Sequence, residues 1–209
     1  MEKEAGVRNH RTLFILGSVG AILTNIACTI MVAFTFYKWV FPSSQPDIMF
    51  IVAVISSILF LTGLIFTAFG FYGIYVAYGA WMGMVSLIFT ILTAIFLSIC
   101  TVLPVIQPTA PPDGYGGTVW FYIDWQTFKI TVFYWLGLAV LGITNLLQGL
   151  TFLLTRSETG LAELSLLNGI ILIATGSFFA SYFGSIIGLI MLFASGVLSV
   201  IIFLKARLP

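Results

Sequence analysis

Hydrophobic residues in this chain run continuously over six long segments instead of alternating with polar residues. We place these segments at 12–37, 48–70, 76–103, 130–155, 161–181 and 184–204. An α-helix needs about 20 apolar residues to cross the hydrocarbon core of a bilayer. A strand of a membrane β-barrel would alternate apolar and polar side chains. The pattern therefore predicts an all-α polytopic membrane bundle with six transmembrane helices.

The breaks between the segments carry the residues that end helices. Proline removes an amide donor and clashes with the preceding turn of a helix. By our assignment every proline lies outside a helix interior: Pro42, Pro46, Pro104, Pro108, Pro111, Pro112 and Pro209. The chain is thus predicted to form one integral membrane domain over 1–209. Its parts are a first three-helix unit at 1–103, an outer loop at 104–129 and a second three-helix unit at 130–209.

The loop at 104–129 has two halves of different composition. Its first half is rich in proline and glycine and reads as a series of turns. Its second half contains Trp120, Tyr122 and Trp125. Because aromatic rings with polar tips favour the headgroup layer, we expect this half to lie at the outer membrane surface as an interfacial anchor. A cap over a cavity mouth, or a surface that docks a partner, remains the alternative interpretation.

Composition supports a lipid environment. Apolar residues make up 60% of the 209 residues and charged residues only 7%, whereas soluble domains carry about 25% charged residues. The formal net charge is +1, so no strong field favours nucleic acid as a partner. The bilayer is therefore the expected partner, together with other membrane subunits or a second copy of the chain.

The basic residues predict an orientation. Cytoplasmic loops of membrane proteins carry an excess of lysine and arginine. With a cytoplasmic N-terminus, six of the eight basic residues lie inside and two outside. The inner set is Lys3, Arg8, Arg11, Arg156, Lys205 and Arg207, and the outer set is Lys38 and Lys129. Both termini are thus predicted to be cytoplasmic, in a protein of the cell membrane with an even number of spans.

The two halves of the chain resemble each other in sequence. Short matching pairs recur in the same order, at separations of 120, 113 and 105 residues. At a separation of 120, Leu16-Gly17 matches Leu136-Gly137 and Thr24-Asn25 matches Thr144-Asn145. At 113, Thr62-Gly63 matches Thr175-Gly176, and at 105, Gly79 and Gly83 match Gly184 and Gly188. A unit of three spans has its ends on opposite sides of the membrane. The matches therefore favour a three-plus-three inverted repeat, an architecture common among transporters.

The last of these matches has the GxxxG spacing of close helix contacts. Gly79 and Gly83 form one such pair, and Gly184 and Gly188 form the other. Glycines four residues apart lie on one helix face and let two backbones approach closely. We expect these four glycines to be helix-packing residues, either within the chain or against another subunit.

Groups that could carry chemistry lie away from the helix centres. The acidic residues Asp47, Asp113, Asp124, Glu158 and Glu163 fall in loops or at helix ends, and the single histidine, His10, lies in the N-terminal tail. Cys28 and Cys100 stand alone in apolar segments. Proton coupling, metal binding and covalent catalysis inside a membrane all require ionisable or nucleophilic groups at depth. We therefore expect no enzymatic activity, no metal and no cofactor.

Deep polar residues remain as candidates for a midplane polar site. They are Thr24, Asn25, Thr144, Asn145 and Gln148. A buried amide must find a hydrogen-bond partner, so one interpretation is that Asn25 and Asn145 join the first and fourth helices. The other is that this set lines a site for a small neutral solute.

The first interpretation suits a non-catalytic accessory or assembly subunit that acts through helix–helix contacts. The second suits a small channel or carrier.

Overall fold

The computed structural model describes residues 2–40, 46–106, 125–180 and 185–206, with side-chain packing described for 10–30, 54–97, 136–179 and 187–206. This part of the chain forms six α-helices and confirms the all-α prediction. They are α1 (Glu2–Val40), α2 (Pro46–Tyr78), α3 (Trp81–Ile106), α4 (Trp125–Leu154), α5 (Ala162–Ala180) and α6 (Ser185–Lys205).

Five of these helices are long and apolar enough to cross a membrane. The apolar stretches are His10–Ile30, Val54–Tyr78, Leu136–Leu154, Ala162–Phe179 and Ile187–Lys205, and α3 contributes the shorter stretch Trp81–Leu97. Large hydrophobic side chains such as Ile58, Ile95 and Ile190 are more than half exposed on the outside of the bundle. An apolar exterior around helices that satisfy their own backbone hydrogen bonds is the arrangement that a bilayer requires. The fold is that of a helical membrane bundle.

The boundary between α2 and α3 differs from the sequence-based prediction. Helix α2 extends to Tyr78 and α3 begins at Trp81, so the predicted start of the third helix at residue 76 is wrong. Gly79 adopts a left-handed φ of 66°, and its amide donates to the carbonyl oxygen of Tyr75 at 2.9 Å. This is how a glycine ends a helix. Apolar residues continue on both sides of Gly79, so hydrophobicity alone does not reveal the turn.

The ends of α3 and α4 also differ from the prediction. Helix α3 continues through Pro104 to Ile106, so this proline lies inside the last turn of a helix. Membrane helices tolerate such a proline because neighbouring groups satisfy the freed backbone. Helix α4 begins at Trp125 instead of residue 130 and includes Lys129. The predicted outer loop at 104–129 is therefore shorter than expected at both ends, and its central part, 107–124, lies outside the described residues.

The helices are arranged as a closed ring. Each helix packs against the one before it and the one after it in sequence, and α6 packs against α1. The most extensive contacts are those of α1 with α2 and of α4 with α5. Each half of the chain therefore begins with a tightly packed helix pair. The inverted repeat itself stays a prediction.

Glycines bring α1 and α2 into backbone contact. A Cβ atom added to Gly17 would lie 2.5 Å from the Cα atom of Gly70, and one added to Gly20 would lie 2.7 Å from the carbonyl oxygen of Gly63. No side chain fits at these distances, so the pair depends on small residues at the crossing, as is common in membrane helices.

The pair α4 and α5 is built in the same way. A Cβ atom on Gly149 would lie 2.7 Å from the carbonyl oxygen of Gly169, and one on Gly176 would lie 2.5 Å from that of Gly142. Two Gly–Gly contacts thus join the helices of each pair. Because van der Waals packing between closely approaching backbones drives helix association in lipid, these contacts contribute to the extensive contact within the two pairs.

Three phenylalanine side chains pack together inside the ring of helices, at the end where α1 begins and α6 ends. Phe71 of α2, Phe152 of α4 and Phe203 of α6 have ring centroids 5.5 to 5.9 Å apart, and each is almost fully buried. These are tilted and edge-to-face arrangements of the kind that aromatic pairs prefer. We call this set the aromatic triangle. Because α2, α4 and α6 alternate around the ring, the aromatic triangle occupies its centre at this end.

Candidate functional site

Asn25 joins α1 to α6. Its side chain lies against Gly196, where a Cβ atom would collide with the amide. In the orientation that satisfies both of its groups, the amide nitrogen donates to the carbonyl oxygen of Phe193 at 3.1 Å, and the amide oxygen accepts from the backbone nitrogen of Val197 at 3.1 Å. Because residue 196 has no side chain, the α6 backbone is accessible there. The Asn25 amide occupies the space that a side chain would take and bonds to that backbone.

Thr24, the neighbour of Asn25, faces a different helix. Its side chain contacts Gly63 of α2, and its hydroxyl donates to the carbonyl oxygen of Gly20 at 3.0 Å. A hydroxyl bonded back to its own helix satisfies itself without a partner helix. Thr24 and Asn25 therefore hold α1 between α2 and α6 and do not converge on one site.

Thr144 and Gln148 belong to a row of hydrogen bonds between α3 and α4. The hydroxyls of Thr93 and Thr144 are 2.6 Å apart, and the Gln148 amide donates to the Thr90 hydroxyl at 2.9 Å. A third bond joins the hydroxyls of Ser86 and Thr151 at 2.8 Å. We call these six residues the polar seam.

The polar seam has a regular spacing that the sequence already contains. Its residues on α3 are 86, 90 and 93, and those on α4 are 144, 148 and 151. Both sets follow the spacing i, i+4, i+7, which places side chains on one face of a helix. Sequence reasoning identified Thr144 and Gln148 but missed Ser86, Thr90, Thr93 and Thr151. The matching spacing of polar residues on consecutive helices was the signal that could have found them.

Asn145 does not bond to Asn25. Its amide nitrogen donates to the carbonyl oxygen of Leu141 on its own helix, at 2.8 Å, while Asn25 bonds to α6. The expected link between the first and fourth helices is therefore not formed. The reason lies in the ring order, which gives α1 the neighbours α2 and α6 and gives α4 the neighbours α3 and α5.

The matching Thr-Asn pairs also differ in what they face. Thr24 contacts the helix that follows it, α2, whereas Thr144 bonds to the helix that precedes it, α3. A true repeat would turn both threonines toward equivalent helices. This pair of matches consequently lends the inverted repeat no structural support.

Asn168 joins α5 to α6. It is fully buried, and its amide nitrogen donates to the Ser199 hydroxyl at 2.9 Å. Its amide oxygen is buried and has no hydrogen-bond partner among the described residues. Apart from Nδ1 of His10, no other buried side-chain nitrogen or oxygen in that part of the chain is left unpaired.

The glycines with GxxxG spacing have separate roles. Gly83 lies against α2, where a Cβ atom would be 2.8 Å from the carbonyl oxygen of Phe71, and Gly188 lies against the ring of Phe179 on α5. A Cβ atom on Gly79 would meet nothing within 4 Å, because this residue forms the turn after α2. Gly184 lies outside the described residues.

Two of the three residues expected at the membrane interface also lie outside the described residues, namely Trp120 and Tyr122. Trp125 is the first residue of α4. The anchoring role of this segment stays a prediction.

The charged residues with described side chains lie on the surface. Arg11, Arg156, Glu158, Glu163 and Lys205 are all exposed. Within the described residues, no three or more histidine, cysteine, aspartate or glutamate side chains lie close enough together to hold a metal ion. The polar residues that are buried as a whole in this part of the chain are serines, threonines, asparagines and a glutamine, whose hydroxyls and carboxamides exchange hydrogen bonds at neutral pH without gaining or losing protons.

Searches of protein-family models, curated proteins and solved structures find no match for this chain.

Proposed function

We propose that this protein is a non-catalytic six-span membrane protein that acts as an accessory or assembly subunit through its helix surfaces. The observation that carries the proposal is the use of its buried polar side chains. Within the described residues, all of them except the Asn168 amide oxygen bond to one another or to backbone, and the polar seam, Asn25 and Asn168 do so across helix interfaces. Their role is therefore to hold the ring together. A site for a solute larger than one bound hydroxyl group would need several of them free, whereas one buried amide oxygen is unpaired among the described residues.

The polar seam provides the main support. Five of its six residues have no exposed surface and Gln148 has 6%. Each takes part in a side-chain bond between α3 and α4. Hydrogen bonds between membrane helices contribute about 0.6 kcal/mol on average. Three in a row suit the task of fixing two helices in register.

The aromatic triangle gives independent support. Phe71, Phe152 and Phe203 meet at the centre of the ring. Interiors packed in this way leave few voids larger than a water molecule. A continuous aqueous pore along the ring axis would have to displace these rings, which argues for a packed bundle.

The outer surface is where such a protein can act. Every helix presents large exposed hydrophobic residues, for example Ile22 on α1, Ile91 on α3 and Ile170 on α5. Helices within a bilayer associate by van der Waals packing of the faces that otherwise contact lipid. A partner is therefore expected to bind one of these helix faces within the bilayer.

The test is a stoichiometric pull-down from native membranes, extracted together with their lipid. Six variants each place tryptophan at one exposed isoleucine, at positions 22, 58, 91, 143, 170 and 190, one on each helix. We expect a partner in fixed ratio to the wild-type protein that is lost in the variant of one helix or two adjacent helices. The matched control is Ser157→Trp, on an exposed turn outside the helices, which should keep the partner.

Flux measurements distinguish this proposal from a carrier for a neutral solute. Proteoliposomes should release urea and glycerol no faster than protein-free liposomes. Solute flux that Asn145→Leu abolishes, while the protein stays folded, would favour the carrier. A partner retained by all six variants would equally contradict the proposal.

A further inference from the structure

Asn168 presents an unusual buried group. The residue has no exposed surface, and its amide oxygen has no hydrogen-bond partner in the described part of the chain. A buried carbonyl without a partner is costly, and native proteins rarely contain one. We therefore expect a partner for this oxygen from outside the chain.

The neighbouring side chains do not supply it. Ser165, one turn earlier on α5, shares its hydroxyl with Thr159 at 3.1 Å. Ser195, one turn before Ser199 on α6, donates its hydroxyl to the carbonyl oxygen of Leu192 at 3.0 Å. Both serines are buried, and neither hydroxyl bonds to the Asn168 amide.

The geometry restricts the chemistry of the missing partner. The Ser199 hydroxyl accepts a hydrogen bond from the Asn168 amide and has its own proton to donate. A group that accepts from Ser199 and donates to the Asn168 oxygen would close a ring of three hydrogen bonds. An O–H group does both through one oxygen atom, whereas a carbonyl only accepts and an ammonium only donates.

We propose that the amide of Asn168 and the hydroxyl of Ser199 form a binding site, between α5 and α6, for an O–H group from outside the chain. Water is the smallest such molecule, and a lipid alcohol is the larger alternative. The site does not depend on how the amide is oriented. A rotated amide would present an N–H group that the same oxygen accepts, while that oxygen donates to Ser199.

The site lies next to the aromatic triangle. Ser199 precedes Phe203 by one helical turn on the same face of α6, and Phe203 contacts Phe152 at 5.8 Å between centroids. The bound O–H group would thus sit on the interior side of this aromatic layer. Buried waters in proteins typically bridge polar groups that are otherwise unsatisfied, and the Asn168 amide oxygen is such a group.

Solid-state NMR of the full-length protein in liposomes tests the proposal. Asparagine is labelled with ¹³C and ¹⁵N, and polarisation is transferred from water protons to the side-chain amides. Asn168 should receive water polarisation at short mixing times. Asn25 is the internal control, since both groups of its amide bond to α6 backbone, and it should receive little.

Two serine variants complete the design. Ser199→Ala should abolish the transfer to Asn168, because the ring of bonds is broken. Ser195→Ala is the matched control on the same helix and should leave the transfer unchanged. The comparison of Asn168 with Asn25 in the wild-type protein stands even if a variant fails to fold.

The source of the O–H group is identified by the lipid. If polarisation transfer from water to Asn168 is unchanged when the lipids are deuterated, the bound O–H group is water. Additional transfer from carbon-bound lipid protons, present only with protonated lipids, identifies a lipid alcohol. Transfer to Asn168 no faster than to Asn25 from either source would overturn the proposal.

Discussion

Buried amides in this bundle bond to backbone or hydroxyl groups, and their surroundings decide which. Asn25 reaches the backbone of α6 because residue 196 is glycine. Asn145 bonds to its own helix at Leu141, and Asn168 bonds to Ser199. The same residue type therefore has three different roles at three positions. Sequence reasoning singled out Asn25 and Asn145, which are buried in the bundle, but it could not assign their partners.

Gly196→Ala should destabilise the protein by about 1–3 kcal/mol, the usual cost of overpacking an interior. The added methyl group would occupy the position of the Asn25 amide. The measurement is thermal or denaturant unfolding in detergent. The matched control repeats the substitution in an Asn25→Ala background, where the methyl group has room and should cost little. Equal losses in both backgrounds would contradict the role assigned to Asn25.

Helix pairs in the ring are joined in two physically different ways. The pairs α1–α2 and α4–α5 meet through glycines whose backbones touch, as Gly20 and Gly63 do. The pair α3–α4 is joined by the polar seam. Close backbone contact allows no added atoms, whereas a row of hydrogen bonds can lose one member at modest cost. The two kinds of interface should respond differently to substitution.

Gly149→Ala should weaken the contact between α4 and α5. A Cβ atom would lie 2.7 Å from the carbonyl oxygen of Gly169, so the backbones must move apart. We expect a loss of about 1–3 kcal/mol, seen as a lower midpoint of unfolding. Gly137→Ala on the same helix is the control, since its Cβ would meet only the flexible side chain of Leu97. Similar effects of the two substitutions would argue against backbone contact at Gly149.

The polar seam can be measured by a double-mutant cycle with Thr93→Val and Thr144→Val. Their hydroxyls are 2.6 Å apart, and such bonds between membrane helices couple by about 0.6 kcal/mol, with a maximum near 1.7 kcal/mol. Unfolding of the two single variants and the double variant gives the coupling. Pairing Thr93→Val with Thr175→Val should give none, because the Thr175 hydroxyl donates to Ile171 on its own helix. Absence of coupling in the first cycle would contradict the seam.

At the scale of the whole molecule, the ring order sets which residues can meet. Six helices that each contact their neighbours in sequence, with α6 against α1, bring residues 14 and 203 to ring centroids 6.0 Å apart. The turns after α2 and α4 lie at the same end as Arg11 and Lys205. The positive charge at this end, with Arg156 in the turn after α4, is the basis for predicting that both termini are cytoplasmic.

Cysteine labelling tests this orientation. With the native residues Cys28 and Cys100 replaced by alanine, Tyr115→Cys places a thiol in the predicted outer loop and Ser157→Cys places one in the turn after α4. A membrane-impermeant maleimide should label residue 115 in intact cells and residue 157 only after permeabilisation. The opposite result would invert the orientation.

The sequence alone predicted the six α-helices that the described part of the chain forms, because long apolar runs in lipid must satisfy their backbone hydrogen bonds within the segment. It also identified some of the buried polar residues, namely Thr24, Asn25, Thr144, Asn145 and Gln148. Helix ends were less predictable, as at Gly79 and Pro104, because one residue in a continuous apolar run changes hydropathy very little.

Only the tertiary structure decided the partners. Asn25 bonds to α6 and not to Asn145, since the order of helices around the ring places α6 beside α1. The structure places α4 opposite Ser86, Thr90 and Thr93, and this placement identifies their hydrogen-bond partners. Local sequence fixes which face of a helix a side chain occupies, but the packing of all six helices fixes what that face meets.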